Sequence, residues 1–398
     1  MLVSRPLSVW LWLLQTAPPL SARQWLWALC VGSKMSLAAM VLANAMLLMA
    51  AVRGGGSVKE STAGTLMSCG FFSCSTAHAV YLVRRPRARA ILTGMMRVAA
   101  AMEHAASPDE QAALERAGRG ICWMTAVQLT YAAGMVVSVW AYVLYGAHPY
   151  APMWPHPPLP GHWGEHAVSA FEMLTMFLGC LGYFSLVTLM GSEAIALAGL
   201  YEALGVRLQA ARGWHEVISA VQLHQRLNGE ARQYEHFFAD IIAHLMVAIL
   251  VVPLVATLQV VFNVVDPLTF TSSSILLSVF LPMATLSQNL TDASTAMADR
   301  AYYAAFQDPP PPDLLPPSWA LEGSKSLAAL ARHAAKSMAD LETRKALLLV
   351  IASASRPAHM SVKGFGPVSL RTASQALRVW YQWGNMLVGF STRVGVSG

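Results

Sequence analysis

Apolar and charged positions along this chain separate into long blocks. Six stretches carry no Asp, Glu, Lys or Arg: Met35–Val52, Ser61–Val83, Gly120–Gly146, Met173–Ser192, Ile241–Val265 and Pro267–Thr291. A bilayer core takes about 20 apolar residues in helical form, so each stretch predicts a membrane span. Arg53-Gly54-Gly55-Gly56 breaks the chain between the first two, and Asp266-Pro267 leaves almost no loop between the last two. That last pair should form a tight hairpin.

A seventh candidate, Gly364–Phe390, is interrupted by Arg371 and Arg378. Residues seven apart share one helical face, and charges inside a span face protein or water. The residues alone leave two readings open. One is a pore-lining helix with a single wet face, ending in the charge-free Val379–Thr392. The other is an amphipathic helix lying on the membrane.

The predicted fold is therefore all-α, with seven transmembrane helices. Leu200, Leu204, Leu208, Val217, Val221 and Leu227 recur near helical spacing among charges. They predict that the fourth and fifth helices continue into the cytoplasm. Ala328–Leu348 is again amphipathic, and Pro309–Pro312 with Pro316-Pro317 reads as a polyproline-like loop. The expected organisation is an interfacial N-terminus (1–27), helices one to four (28–200), a cytoplasmic helical extension (201–235) and helices five and six (236–291). A cytoplasmic anchor (292–363) and helix seven with an extracellular C-terminus (364–398) complete it. Helices four to seven extend into the anchor region.

Basic residues set the orientation. Segments 1–27, 84–120, 200–235 and 291–365 hold 21 of the 27 Lys and Arg, whereas 53–60, 147–165, 266 and 391–398 hold three. The richer side is expected to be cytoplasmic, with the N-terminus inside and the C-terminus outside.

Composition agrees with a membrane protein. Hydrophobic residues make up 55% and charged residues 12%, against about 25% charged in a soluble domain. The net charge of +6 lies in the loops between apolar runs, which argues against a nucleic-acid surface. Cys30, Cys69, Cys74, Cys122 and Cys180 match no zinc spacing and read as small packing residues. The N-terminal Leu7–Leu14 run imitates a signal peptide, but Trp10, Trp12, Trp25 and Trp27 suit an interfacial segment better. His156 and His162 sit in the Pro- and aromatic-rich segment 147–165, with His166 directly after it; this segment reads as a stiff lid at headgroup level more readily than as a zinc site. Asn289-Leu290-Thr291 fits a glycosylation sequon at the inner end of a span, where no glycan can be added. No phosphate loop, metal motif or nucleophile elbow is present, so neither catalysis nor a cofactor is expected.

Three stretches resemble the insect odorant receptor family. The most specific is C-terminal: Arg356-Pro357, Gly364-Phe365, PVSLRT at 367–372, Leu377-Arg378, Tyr381 and Met386-Leu387. The others are LHQRLNGEARQYEHFF at 223–238 and SQNLTDASTAMADRAYYAAF at 287–306; the loop HPYAPMWP after the third span is also similar. Trp383-Gly384 and the Pro-rich 308–317 insertion depart from the family pattern. The gustatory signature and the co-receptor's long insertion are absent, so the resemblance is to a tuning receptor. It implies a plasma-membrane, odorant-gated, nonselective cation channel of four subunits. Those four would be built with the family's co-receptor or as a homotetramer. A G-protein-coupled-type or gustatory-type receptor is the alternative, and the charge bias opposes the former.

On that reading the ligand pocket is expected among the outer halves of spans two, three, four and six. Its candidates are Phe71, Phe72, Val137, Trp140, Met173, Met176, Phe177, Phe270, Ser273 and Leu277. Aromatic and Met surfaces with an occasional hydroxyl suit small volatile ligands. Glu172 is expected to reach the outer headgroups. Gln382, Met386 and Phe390, at i, i+4 and i+8, form the expected gate stripe, since apolar rings close a pore by excluding water. By position, Met386 and Phe390 match the family's apolar gate residues.

Overall fold

The computed structural model describes residues 2–13, 24–53, 57–146, 150–155, 157, 159–160, 162–211, 214–265, 267–306, 341–364 and 366–394, with side chains described outside 11–33, 58, 267, 305–306 and 390–394. The Pro-rich insertion, most of Ala328–Leu348, His156, Cys30 and the Phe390 side chain lie outside that set.

The helices in chain order are α1 (Ser4–Leu13), α2 (Gln24–Arg53), α3 (Val58–His104), α4 (Pro108–Gly146), α5 (Trp163–Ala210), α6 (Trp214–Val261), α7 (Pro267–Ser273) and α8 (Leu281–Phe306). A π-helical turn, Leu276–Phe280, joins α7 to α8. Residues 341–354 form α9. A two-residue hairpin, β1 (Ser361–Val362) with β2 (Gly366–Pro367), precedes α10 (Leu370–Val394). Among the described residues six helices, α2 to α6 and the α7–α8 unit, are long and apolar enough to cross a membrane. This is an all-helical, multi-pass membrane architecture. The end carrying the 150–160 segment is called the loop end, and the opposite one the anchor end.

The helices outrun any bilayer. At 1.5 Å per residue, the 48 residues of α5 or α6 reach roughly 70 Å, more than twice the hydrocarbon thickness. The continuation of the fourth and fifth spans is thus present. The second and third spans extend likewise, as α3 and α4, beyond the expectation for helices four to seven alone. The starts are chemically marked. At α3 the Ser57 hydroxyl accepts the Glu60 N–H at 3.2 Å, and the Glu60 carboxylate accepts the Ser57 N–H at 2.7 Å, a reciprocal cap. Pro86 and Pro253 lie inside α3 and α6, tolerable where neighbouring helices support the backbone.

The α6–α7 hairpin is as tight as the sequence implies. Asn263 closes α6 with a φ of 59°, a left-handed conformation that Asn tolerates better than most residues. Beyond α7 the regular ladder is disturbed at the π turn, and α4 side chains supply partners there. Gln128 Nε2 donates to the Ser278 carbonyl at 3.0 Å, and the Tyr131 hydroxyl bonds the Thr271 carbonyl and Ser274 Oγ.

At the anchor end, polar side chains tie the extensions together. Arg207 donates to Glu110 at 2.6 Å and to the Met102 carbonyl at 3.1 Å. Arg300 donates to the Glu202 carbonyl at 2.6 Å. Glu103 of α3 accepts the N–H groups of Leu2, Val3 and Ser4, and so caps α1 from another helix. Ser287 and Ser294 of α8 accept the N–H groups of Met360 and Ala358 at 3.0 Å each. The Lys363 N–H reaches the Ala239 carbonyl at 3.2 Å, and the Lys363 ammonium meets Asp240 at 2.8 Å. Gly364 and Gly366 adopt φ of 84° and 93°, which glycine takes without a Cβ clash. The residues around the Gly364-Phe365 and PVSLRT motifs therefore build the clamp that launches α10.

From that clamp α10 runs back toward the loop end along α6 and α8. A Cβ placed at Gly384 would lie 3.9 Å from Cγ2 of Thr257, which is near the loop end of α6. The segment therefore packs lengthwise against α6 and α8.

Candidate functional site: an apolar cavity and a polar helix face

A cavity partly open to the outside, with about 520 Å³ of empty space when its open mouth is included, lies between α3, α4, α5, α6 and α7. Five residues of α3 contribute, from Leu66 to Cys74, all on one helical face. Met176, Gly179, Cys180, Tyr183 and Phe184 of α5 repeat the same spacing opposite. Met135 comes from α4, Ala248 and Val252 from α6, Leu268 and Ser272 from α7, and Ile275 from the turn beyond.

Glycine opens this space. A Cβ added at Gly70 would meet nothing within 4 Å. One at Gly179 would stand 3.4 Å from Met40 Sδ and from the Phe71 ring. Sulfur lines much of the wall, and Cys180 Sγ lies 3.9 Å from Met176 Sδ. The lining holds no charged side chain. Two of its hydroxyls, on Tyr183 and Ser272, are buried without a hydrogen-bond partner.

A lid covers the loop end. Glu172, fully buried on α5 one turn before Met176, accepts the Tyr150 N–H at 2.7 Å and the Ala151 N–H at 2.9 Å. Its carboxylate therefore points inward, not to the headgroups as the sequence implied, because the loop amides satisfy it there. The Trp154 N–H reaches the Met46 carbonyl at 3.3 Å, and the Arg53 guanidinium stacks 5.1 Å over the Trp154 ring. His162 pairs with Glu165 at 3.5 Å and His166 packs against Trp163. Among the described residues no cluster of three metal-ligating side chains occurs.

The ten pocket candidates divide. Phe71 and Met176 line the cavity. Phe72 does not: it is 49% exposed where Phe71 is 3%, because adjacent helical residues point about 100° apart. Val137, Phe270 and Leu277 also face outward. Trp140, Phe177 and Met173 gather on the outside of α4 and α5, where the Trp140 indole donates to the Met173 carbonyl at 3.1 Å and its ring lies 6.2 Å from Phe177. Ser273 is half-buried and bonds its own helix at the Phe270 carbonyl. A lipid-facing surface is as apolar as a protein-facing one, so aromatic content cannot separate them. The missed residues, Gly70, Cys74, Gly179, Cys180, Tyr183 and Ser272, are small or weakly polar. Such residues in an otherwise apolar span are the signal that marks a protein-facing side.

The second feature is α10. Ala373, Ala376, Leu377, Trp380, Gly384 and Leu387 form its bundle-facing side. Arg371, Gln375, Arg378, Gln382 and Asn385 recur at three- and four-residue steps and are all exposed. Met386 is exposed beside them, and Phe390 follows one turn later in the helix.

An apolar cavity, partly open to the outside, thus sits within a bundle of membrane-length helices, the architecture of a membrane receptor. The chain belongs to the 7tm odorant receptor family, whose family model matches residues 58–381. Its fold is similar to two solved structures of olfactory receptor OR5 from Machilis hrabei. One, in complex with eugenol, has TM-score 0.66 and 8% identity, covering 98% of this chain and 97% of that one. The other has TM-score 0.65 and 10% identity, covering 97% of each. No curated protein matches the sequence.

Proposed function

We propose that the protein is a subunit of an odorant-gated, nonselective cation channel in the plasma membrane of sensory neurons. The observation that carries this reading is the polar face of α10. Five polar or charged side chains, Arg371 to Asn385, lie exposed on a helix that runs beside membrane-spanning helices. Hydrocarbon does not accommodate such a face, so water or other subunits must cover it. Four copies of α10 around an axis would give it a water-filled pore. The copies come from a heterotetramer with the family's co-receptor, or from a homotetramer. Gln382, Met386 and Phe390 then stand in the narrow part, where apolar rings close the pore by excluding water.

The cavity supplies the ligand end of the mechanism. It takes a small volatile molecule, and OR5 bound to eugenol supports that ligand class. The cavity's α6 and α7 walls belong to elements that continue into the α6 and α8 surfaces holding α10. A ligand favouring one arrangement of those walls shifts the α10 equilibrium by its difference in affinity between the two states.

Orientation follows the basic residues: N-terminus and anchor end cytoplasmic, C-terminus extracellular. The decisive experiment expresses the chain with and without the co-receptor and records currents against a panel of volatiles. Ligand-evoked cation currents are expected, and their absence under both conditions overturns the reading. A C-terminal tag should stain in unpermeabilised cells; staining only after permeabilisation overturns the orientation.

A further inference from the structure

The cavity is apolar except at Tyr183 on α5 and Ser272 on α7, which approach it from different walls. Tyr183 is 4% exposed and Ser272 0%. Neither hydroxyl has a hydrogen-bond partner within the protein. This is unusual, because buried hydroxyls are nearly always paired. Other hydroxyls near the cavity are paired: Tyr131 bonds the Thr271 carbonyl, and Thr269 donates to Gln259 Oε1 at 2.9 Å. Ser169 and Ser192 on α5 also lack partners, but they lie outside the cavity lining, so Tyr183 and Ser272 are the two unpaired hydroxyls that a molecule in the cavity could reach. With no charged lining residue, an ionic ligand would lose its hydration with nothing in exchange.

We propose that Tyr183 and Ser272 select neutral ligands carrying a hydroxyl or carbonyl oxygen, over hydrocarbons of the same shape. This rests on the cavity being the ligand site. Each hydroxyl both donates and accepts, so an alcohol, phenol or ketone oxygen can satisfy them while the carbon frame fills the Met-, Cys- and Phe-lined remainder. A hydrocarbon fills the same space and leaves both orphans unpaired, and sites with buried polar groups reject analogues that lack the partner.

The test measures dissociation constants on purified full-length protein with two matched pairs, thymol against p-cymene and 1-octanol against octane. The wild type is expected to prefer the oxygenated member by about tenfold or more. Tyr183→Phe and Ser272→Ala should each narrow that ratio, and the double variant should abolish it. Each variant removes one oxygen with no partner in the protein, so folding is retained. Gly70→Phe, which fills the cavity, serves as the control. If it abolishes binding of every probe while the double variant keeps the wild-type preference, selection by the two hydroxyls is overturned and the site stands. If every probe binds Gly70→Phe as it binds the wild type, or none binds the wild type, the cavity reading itself falls.

Discussion

The Glu172 carboxylate accepts the Tyr150 backbone N–H at 2.7 Å while the Tyr150 ring packs edge-on against Tyr142, centroids 5.2 Å apart. One side chain of α5 thus holds the loop against the bundle, and Tyr150 links that loop to the end of α4. Both of these hydrogen bonds are made where the carboxyl group is fully buried.

Glu172→Leu should consequently release the lid. It strands two buried amides, a cost of about 1–3 kcal/mol each. Limited proteolysis within 150–160 should accelerate, and ligand dissociation should become several-fold faster. Glu165→Gln, on an exposed carboxylate paired only with His162, should change neither. Equal protection of the loop in Glu172→Leu and wild type would show that the carboxylate does not hold it.

Filling the cavity should separate inner from outer residues. Gly70→Leu places its side chain in open space and should raise the ligand concentration for half-maximal response more than about tenfold, equivalent to about 1.4 kcal/mol. Trp140→Ala removes an outward-facing ring and should leave the response profile within about twofold, since a substitution away from the site perturbs it little. A Trp140→Ala shift larger than that of Gly70→Leu would move the site to the α4–α5 exterior.

At the gate, Met386→Ser or Phe390→Ser should raise ligand-independent current, because a polar ring no longer dewets. Cysteine at either position should be blocked by thiol reagents applied from outside. Normal closure with serine, together with no block at either cysteine, excludes this stripe.

The clamp before α10 should be pH-sensitive. His359 Nε2 lies 3.1 Å from Glu235 Oε1, in the α6 extension beyond the apolar 241–265. The hydrogen bond to Glu235 holds the His359 imidazolium above its ordinary 6.5. A histidine pKa raised on folding contributes stability that is complete below the unfolded value and is lost as pH rises through the folded one. Glu235, its carboxyl held down first by the His359 hydrogen bond, contributes above its own unfolded value of 4.5 and loses that contribution only in acid. Wild type should thus exceed His359→Gln in thermal stability near pH 6, and the difference should vanish at alkaline pH. A constant difference from pH 5.5 to 9 would remove the ion pair from the account. Both groups are about 30% exposed, so solvent screening keeps the effect small.

Much of the architecture was legible in the order of residues. The absence of charge over a span follows from the cost of ions in hydrocarbon, so the six spans, the Asp266-Pro267 hairpin and the odd seventh helix could be read directly. The family motif at 356–387 was legible too, because it encodes local geometry: glycines where φ must be positive, and a serine-rich stretch of α8 that receives its backbone N–H groups. Side-chain direction was less legible. Phe71 and Phe72 are neighbours of one residue type, yet one lines the cavity and the other faces outward.

By itself the sequence determined which segments cross the membrane, because transfer free energy depends on local composition. Only the tertiary structure decided which face of each helix meets protein. In a membrane both faces are apolar, and packing, not burial from water, separates them. Glu172 turns inward only because residues 150 and 151, more than twenty positions away, bring two amides to it. Tyr183 and Ser272 share one cavity only because α5 and α7, distant in sequence, are brought together by α4 and α6 between them.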